Sequence, residues 1–532
     1  MKKILYTLAM LCALAQGAWA EDVNYIYYMV IDDGSYYSLQ KGTGTANNPT
    51  VLTSSLLEKS SEDNLDSGWY VLNSSFTYGE RIVISGDVHL ILCDGCTLTA
   101  EQGIRINTDA TLTIYAQSET VGTMGKLVAM ETHHDKAAIG GNKNYRAGTL
   151  AIHGGEIEAL CKDGSKYAAG IGGGYGDGSG MRLISIFGGK VTAQGAYLGA
   201  GIGGGKNNNF PGHINIYGGT VIATGGGYGA GIGGGENRPG WNTNVYGGNI
   251  TAKGGDWAAG IGGGEEGGGG NLHFYGGTVN ATSGGYAAGI GAGEDADGGT
   301  IIIDGGNITA TGTYSGPGIG GGSDGDSHWI DGKKSGTITI NGGTVVATGS
   351  YASASAVDAD VRSGAAIGSG NRGIVEAITI TGGNIKAYAN SGAAGIGGGN
   401  KSVGCGVIKI SGGTIYAESE NNHTADIPDF GGPGIGAGSY ATGGGEINIS
   451  GTADIEVVGG KGAAAIGCGN NLQEDYKYNI SITGGHINAH VSKLWNSVGD
   501  MMPMLIGLGS VNRNYISESS EKNVLPSPLL ID

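Results

Sequence analysis

Ile214-Asn215-Ile216-Tyr217-Gly218-Gly219-Thr220-Val221-Ile222-Ala223, then Ala230-Gly231-Ile232-Gly233-Gly234-Gly235, is one unit of a pattern that recurs through most of this chain. Its first half alternates apolar and variable residues on both sides of a glycine pair. That period of two marks a strand with one buried face, a turn, and a second such strand. The small-residue run around Ile232 supplies a third side.

The phrase Ala-Gly-Ile-Gly-Gly-Gly places its isoleucine at Ile171, Ile202, Ile232, Ile261, Ile290 and Ile319, spaced by 31, 30, 29, 29 and 29 residues. Ile367, Ile396, Ile435 and Ile466 continue the series, with Ile139 as its first member and Ile506 as a degenerate last one. Three short strands per roughly 30 residues make one coil of a solenoid, and a coil buries its apolar face only by stacking on its neighbours. The expected fold is therefore all-β: a right-handed, single-stranded parallel β-helix, the hand following from the rule for parallel crossovers. Glycine fits this geometry, because corners with positive φ and close backbone approach both select it.

Outward from the repeats, the chain divides into five parts. Residues 1–20 carry Lys2 and Lys3, a short apolar run and Ala18-Trp19-Ala20, the pattern of a signal peptide. Residues 21–67 are expected to cap the first coil, and 68–130 to form leading coils of shorter period. Residues 131–510 hold the glycine-rich repeats, and 511–532 form an irregular tail. No later stretch is long and apolar enough to be a transmembrane segment, so a secreted or cell-surface location is expected.

Of 532 residues, 113 are glycine, and the formal net charge is −18. A surface of that sign repels nucleic acid, anionic lipid and polyuronates unless a cation intervenes. Once the leader is removed five scattered cysteines remain, which is not a disulfide framework. Cys93-Asp94-Gly95-Cys96 is the one spacing that suits a small disulfide across a turn.

Gly68-Trp69-Tyr70-Val71, Asp87-Val88-His89-Leu90-Ile91-Leu92-Cys93-Asp94-Gly95 and the two glycine phrases together resemble glycine-rich β-helix surface proteins of gut and oral Bacteroidetes. The resemblance covers most of the chain and implies export and contact with glycan. The repeats are more distantly similar to β-helical carbohydrate-binding proteins that hold acidic polysaccharides through Asp-Gly-Ile turns and calcium. Here alanine precedes Gly-Ile, as at Ala200, Ala230 and Ala259, which departs from that calcium-dependent pattern.

Residues sharing a phase become columns on a solenoid. One aromatic column precedes the Ala-Gly-Ile phrase: Tyr167, Tyr197, Tyr228, Trp257, Tyr286 and Tyr314. Another ends the first strand at Phe187, Tyr217, Tyr246 and Tyr275, then turns polar as Asp304, Asn341, Thr381 and Ser411. Such columns either brace the corners by ring stacking or offer a platform for sugar rings. A third column is acidic: Glu236, Glu265 and Glu294. It suits either solvated loop charge or oxygen-ligated calcium. The outward positions Thr192, Ile222, Thr251, Asn280, Thr309, Val346, Lys386 and Tyr416 are too mixed for the regular threonine face that ice binding needs.

The expectation is thus an exported, non-catalytic β-helix that binds carbohydrate or adheres to a host or neighbouring cell surface. The alternative is a polysaccharide lyase or glycoside hydrolase, which would need paired carboxylates across a groove. Asp324, Asp326, His328 and Asp331, or Glu265 with Asp295, are the candidates, and none forms a recognisable signature.

Overall fold

The computed structural model describes residues 20–32, 37–58, 65–162, 164–210, 212–323, 333–352, 362–420, 431–470, 478–491 and 505–507. Within them, Ile202 pairs in parallel with Ile232, Ile232 with Ile261, and Ile261 with Ile290. The same one-coil step recurs in the other two sheets: His213–Ile216 pairs with Asn242–Val245, and Thr220–Thr224 with Asn249–Lys253. The chain is a parallel β-helix solenoid of three sheets. Sheet 1 carries the Ile-x-Ile strands, sheet 2 the Val-x-Ala strands and sheet 3 the Ile-Gly pairs; sheets 2 and 3 each have 14 described strands.

Alternation sets what faces inward. In one coil Ile214, Ile216, Val221, Ala223 and Ile232 are all buried, while Asn215 and Ile222 between them are not. Burying each large aliphatic side chain stabilises by about 1.5–3 kcal/mol, and stacking makes these residues one continuous core. Gly233 shows why the phrase tolerates no side chain. Its φ is +133°, and a Cβ there would lie 2.0 Å from the carbonyl oxygen of Gly262 in the next coil. The fifth residue after each isoleucine turns the corner in the left-handed region, as at Asn207, Asn237, Glu266, Asp295, Arg372 and Lys401. Asparagine and aspartate accept that conformation readily; the other side chains are held there by the stack.

The insertions leave the register intact: Ile319 pairs with Ile367, and Ile396 with Ile435. Short coils come first, since Ile82 pairs with Ile104, and Gly68 with Val88. A buried ion pair lies where short coils meet long ones. The Arg81 guanidinium donates to Glu131 and to the carbonyls of Gln102 (2.7 Å) and Ala137 (2.8 Å). Glu131, wholly buried, also accepts from the amides of Thr132 and His133.

The N-terminal segment does two things where only capping was expected. Strand β3 (Thr50–Val51) pairs with Gly68–Leu72, and helix α1 (Ser54–Glu58), capped by Thr53, seats Leu57 on the first coil. Strands β1 (Val23–Asp32) and β2 (Tyr37–Ala46) instead form an antiparallel hairpin against the flank of sheet 1, joined to it at Ile26–Ala116. Residues 1–19, the tail 511–532 and the loop carrying Asp324, Asp326, His328 and Asp331 lie outside the described residues. No described helix is long and apolar enough to cross a membrane.

Candidate functional site

The second aromatic column is a true ladder. Phe187 stacks on Tyr217 at 4.9 Å, Tyr217 on Tyr246 at 4.6 Å and Tyr246 on Tyr275 at 4.7 Å, all within 7° of parallel. It continues backward through His153, 4.4 Å from Phe187, and Tyr115, 5.1 Å from His153. Forward, Asp304 accepts from Asn341 (2.8 Å), and Asn341 from Thr381 (2.7 Å), so hydrogen bonds replace the stack. The rings are half-buried, and burial raises the Tyr217, Tyr246 and Tyr275 hydroxyls above their ordinary pKa.

The hairpin occupies part of this surface. Tyr37 packs on Tyr246 and Tyr275, with centroids 4.5 and 5.1 Å apart. The Tyr28 amide donates to His153 Nδ1 at 3.0 Å, while the Tyr28 hydroxyl and Lys41 both bond Glu119. Burial lowers His153 to about 4, so its imidazole is neutral and available as that acceptor. The ladder therefore anchors a piece of this same chain. Tyr25, Tyr27, Tyr28, Tyr36 and Tyr37 are the available signal: five tyrosines in a segment with no repeat of its own.

The first aromatic column is less regular. Tyr197 meets Tyr228 edge-on at 78°, Trp257 stacks on Tyr286 at 5.5 Å, and Tyr286 tilts against Tyr314. Phase alone did not reveal that this column adjoins the acidic one. The amide of Glu265 donates to the carbonyl of Tyr228, and that of Glu294 to Trp257, each one coil back.

Along the acidic column Glu236 is ion-paired to Lys206 and Glu294 is buried. Glu265 is raised to about 7, first by burial and then by Glu236, Glu266 and Asp295. Among the described residues no three His, Cys, Asp or Glu side chains come together to hold a metal ion. The column continues as Ser323, Asn371, Asn400, Ser439 and Asn470, so the acids occupy only three of its coils. Cys93 and Cys96, the pair whose spacing suits a small disulfide, carry free thiols in this structure. The Cys96 amide closes the turn onto the Cys93 carbonyl (3.1 Å), and burial raises the Cys93 thiol to about 11.

A groove of about 540 Å³ opens on the outer face of sheet 2, near its C-terminal end. Parallel register builds it. Lys386, Tyr416, Glu456 and Asn488 form one column, and Asn384, Thr414, Asp454 and His486 the next. Tyr388 sits beside Tyr416 with ring centroids 5.7 Å apart, and the Tyr416 hydroxyl donates to Glu418 at 2.7 Å. His486 Nδ1 lies 2.9 Å from Asp454. Two ring faces thus stand among an ammonium, two carboxylates and two amides, all facing solvent together. In the sequence Lys386 and Tyr416 stand out only as breaks in a threonine array, whereas the groove depends on the neighbouring columns as well.

Nine stretches match the model of the beta helix repeat family: 150–175, 184–206, 214–236, 244–265, 275–294, 301–323, 338–371, 378–400 and 408–439. Fold and repeats together define a β-helix-repeat solenoid. No curated protein and no solved structure matches the chain.

Proposed function

We propose that this protein is an exported, non-catalytic surface that binds carbohydrate, and that glycan is taken in the groove of sheet 2. The observation that carries this reading is the pair Tyr388 and Tyr416 set among Lys386, Asn384, Asp454, Glu456 and Asn488. Aromatic faces accept the apolar face of a sugar ring while amides and charges satisfy its hydroxyls, the usual division of labour in a ligand site. The tyrosine ladder, partly covered by its hairpin, is the poorer platform. Asp454 and Glu456 rise two residues apart from one strand and so lie on one side of a bound chain. Glycosidic cleavage needs carboxylates flanking the scissile bond, which favours binding over hydrolysis.

The test is a panel of soluble neutral polysaccharides, with affinity and release of reducing ends measured together. Saturable binding without product, lost in Tyr388→Ala/Tyr416→Ala but kept in Tyr217→Ala/Tyr246→Ala, supports the reading. Product release, or unchanged binding by the groove variant, overturns it.

A further inference from the structure

The loops that follow the Ile-Gly pairs stack into a second corner, and its charge reverses along the solenoid. From the coil of Ile104 to that of Ile232 it carries Arg105, Lys143, Arg146, Lys206 and Arg238 against Asp109, Asp177 and Glu236; the next two coils carry Glu265, Glu266, Glu294, Asp295 and Asp297 and no cation. In a chain of net charge −18 the basic half is the exception, and three of its cations sit on rings. Arg105 lies 5.5 Å from the centre of Tyr145, Lys143 5.0 Å from Tyr175 and Arg146 3.6 Å from Phe210. Among the described residues, Arg105, Arg146 and Arg238 have no carboxylate partner. The buried Nε atoms of Arg146 and Arg238 have no acceptor at all.

These coils enclose a pocket of about 400 Å³, lined by Lys143, Asn144, Tyr175, Asp177, Asn209 and Arg238. Its side chains are already linked. Arg238 donates to the Asn209 side-chain carbonyl, Asn209 donates to Asp177, and Lys143 is held 3.2 Å from Asp135. The guanidinium is thus oriented by a neutral amide and makes no direct ion pair, with Asp177 one hydrogen bond further away. An unpaired guanidinium beside an ammonium, with a ring between coils, selects an anion attached to a flat, partly apolar body.

We infer that this corner is a second binding site, distinct from the groove of sheet 2, for sugars that bear a sulfate or carboxylate. Arg238 and Lys143 hold the anion and Tyr175 supports the ring that carries it. The site needs no bridging metal, and it places anionic glycan on a protein whose total charge would exclude it.

Retention of the full chain by dextran sulfate, polygalacturonate, neutral dextran and inorganic polyphosphate, at low ionic strength, tests this. Retention by dextran sulfate alone or polygalacturonate alone supports the site and identifies the anion as sulfate or carboxylate; retention by both supports it for either. Lys143→Glu/Arg238→Glu is expected to weaken that retention by about tenfold or more, the loss of a charge-assisted contact. Lys190→Glu/Lys253→Glu, the same change in net charge on sheet 2, is expected to leave it unaltered, and Tyr388→Ala/Tyr416→Ala likewise. Arg238→Lys, which keeps the charge, controls for folding and should bind at intermediate strength. No retention by either anionic glycan, equal loss in the sheet 2 control, or equal retention of polyphosphate would each overturn the inference.

Discussion

Tyr37, near the tip of the N-terminal hairpin, stands edge-on to Tyr275, with ring centroids 5.1 Å apart and planes at 63°. A residue near the start of the chain thereby rests on one more than two hundred positions later, at the last ring of the ladder. Edge-to-face pairs of this kind contribute about 0.5–1.5 kcal/mol beyond the area they bury. Tyr37→Ala should therefore speed amide exchange along Val23–Asp32 while leaving exchange at Ile232 and Ile261 unchanged. Equal acceleration in hairpin and core would mean that the hairpin is no separate unit.

Acid should release the same hairpin through His153. Burial holds its folded pKa near 4, below the ordinary 6.5, so the fold favours the neutral ring. That stabilisation is complete above pH 6.5 and is lost as pH falls from there toward 4, up to on the order of 3 kcal/mol. Hydrogen exchange at the Tyr28 amide, followed from pH 7 to pH 4.5 and corrected for intrinsic rates, should show the loss. His153→Phe keeps the stack but removes the acceptor, and should flatten the dependence in that window.

Glu265 behaves in the opposite sense. Its folded pKa near 7 lies above the ordinary 4.5, so protonation favours the fold and the contribution disappears as pH rises through 7. Glu265→Gln should raise the melting temperature at pH 8 and leave it unchanged at pH 4. Titration of the carboxyl by NMR should fall toward 4.5 when Glu236 and Asp295 are both replaced by their amides.

Gly233 tests the stacking itself. A side chain there meets the Gly262 carbonyl and a backbone φ of +133° together, so no small shift relieves both. Gly233→Ala should lower stability by about 3 kcal/mol or more. Gly178→Ala, where a Cβ meets nothing within 4 Å, should cost only the strain of its own positive φ. Urea unfolding of the two variants separates them.

The Arg81–Glu131 pair gives a fifth measurement. Removing one partner leaves the other buried and uncompensated, a cost of about 3–5 kcal/mol. Glu131→Ala should therefore destabilise the N-terminal coils first, and limited proteolysis should cut there before it reaches the repeats.

Much of the fold could be read in advance because a phrase of fixed length leaves only one register in which all its isoleucines are buried. Ile232 over Ile261, the small-residue third side and the shorter first coils all follow from counting. The surfaces were harder. Phase places Tyr217 over Tyr246, but nothing in the repeat says that a non-repeating segment will fold back onto them. Phase also places Lys386 and Tyr416 in one column, yet a groove is a property of adjacent columns, and Tyr388, Asp454 and His486 belong to those. Net charge misleads in the same way: a sum of −18 is silent about five cations gathered at one corner.

The uniform step between coils makes this protein a ruler as well as a scaffold. Excising Ile261–Gly289, one repeat of 29 residues, would set Ile290 where Ile261 had been and keep every downstream column in phase. The basic corner and the sheet 2 groove would draw together by one coil, about 4.8 Å, and duplication of that segment would part them equally. Separation between the two surfaces thus changes only in whole increments, and a ligand long enough to touch both would sense coil number as distance.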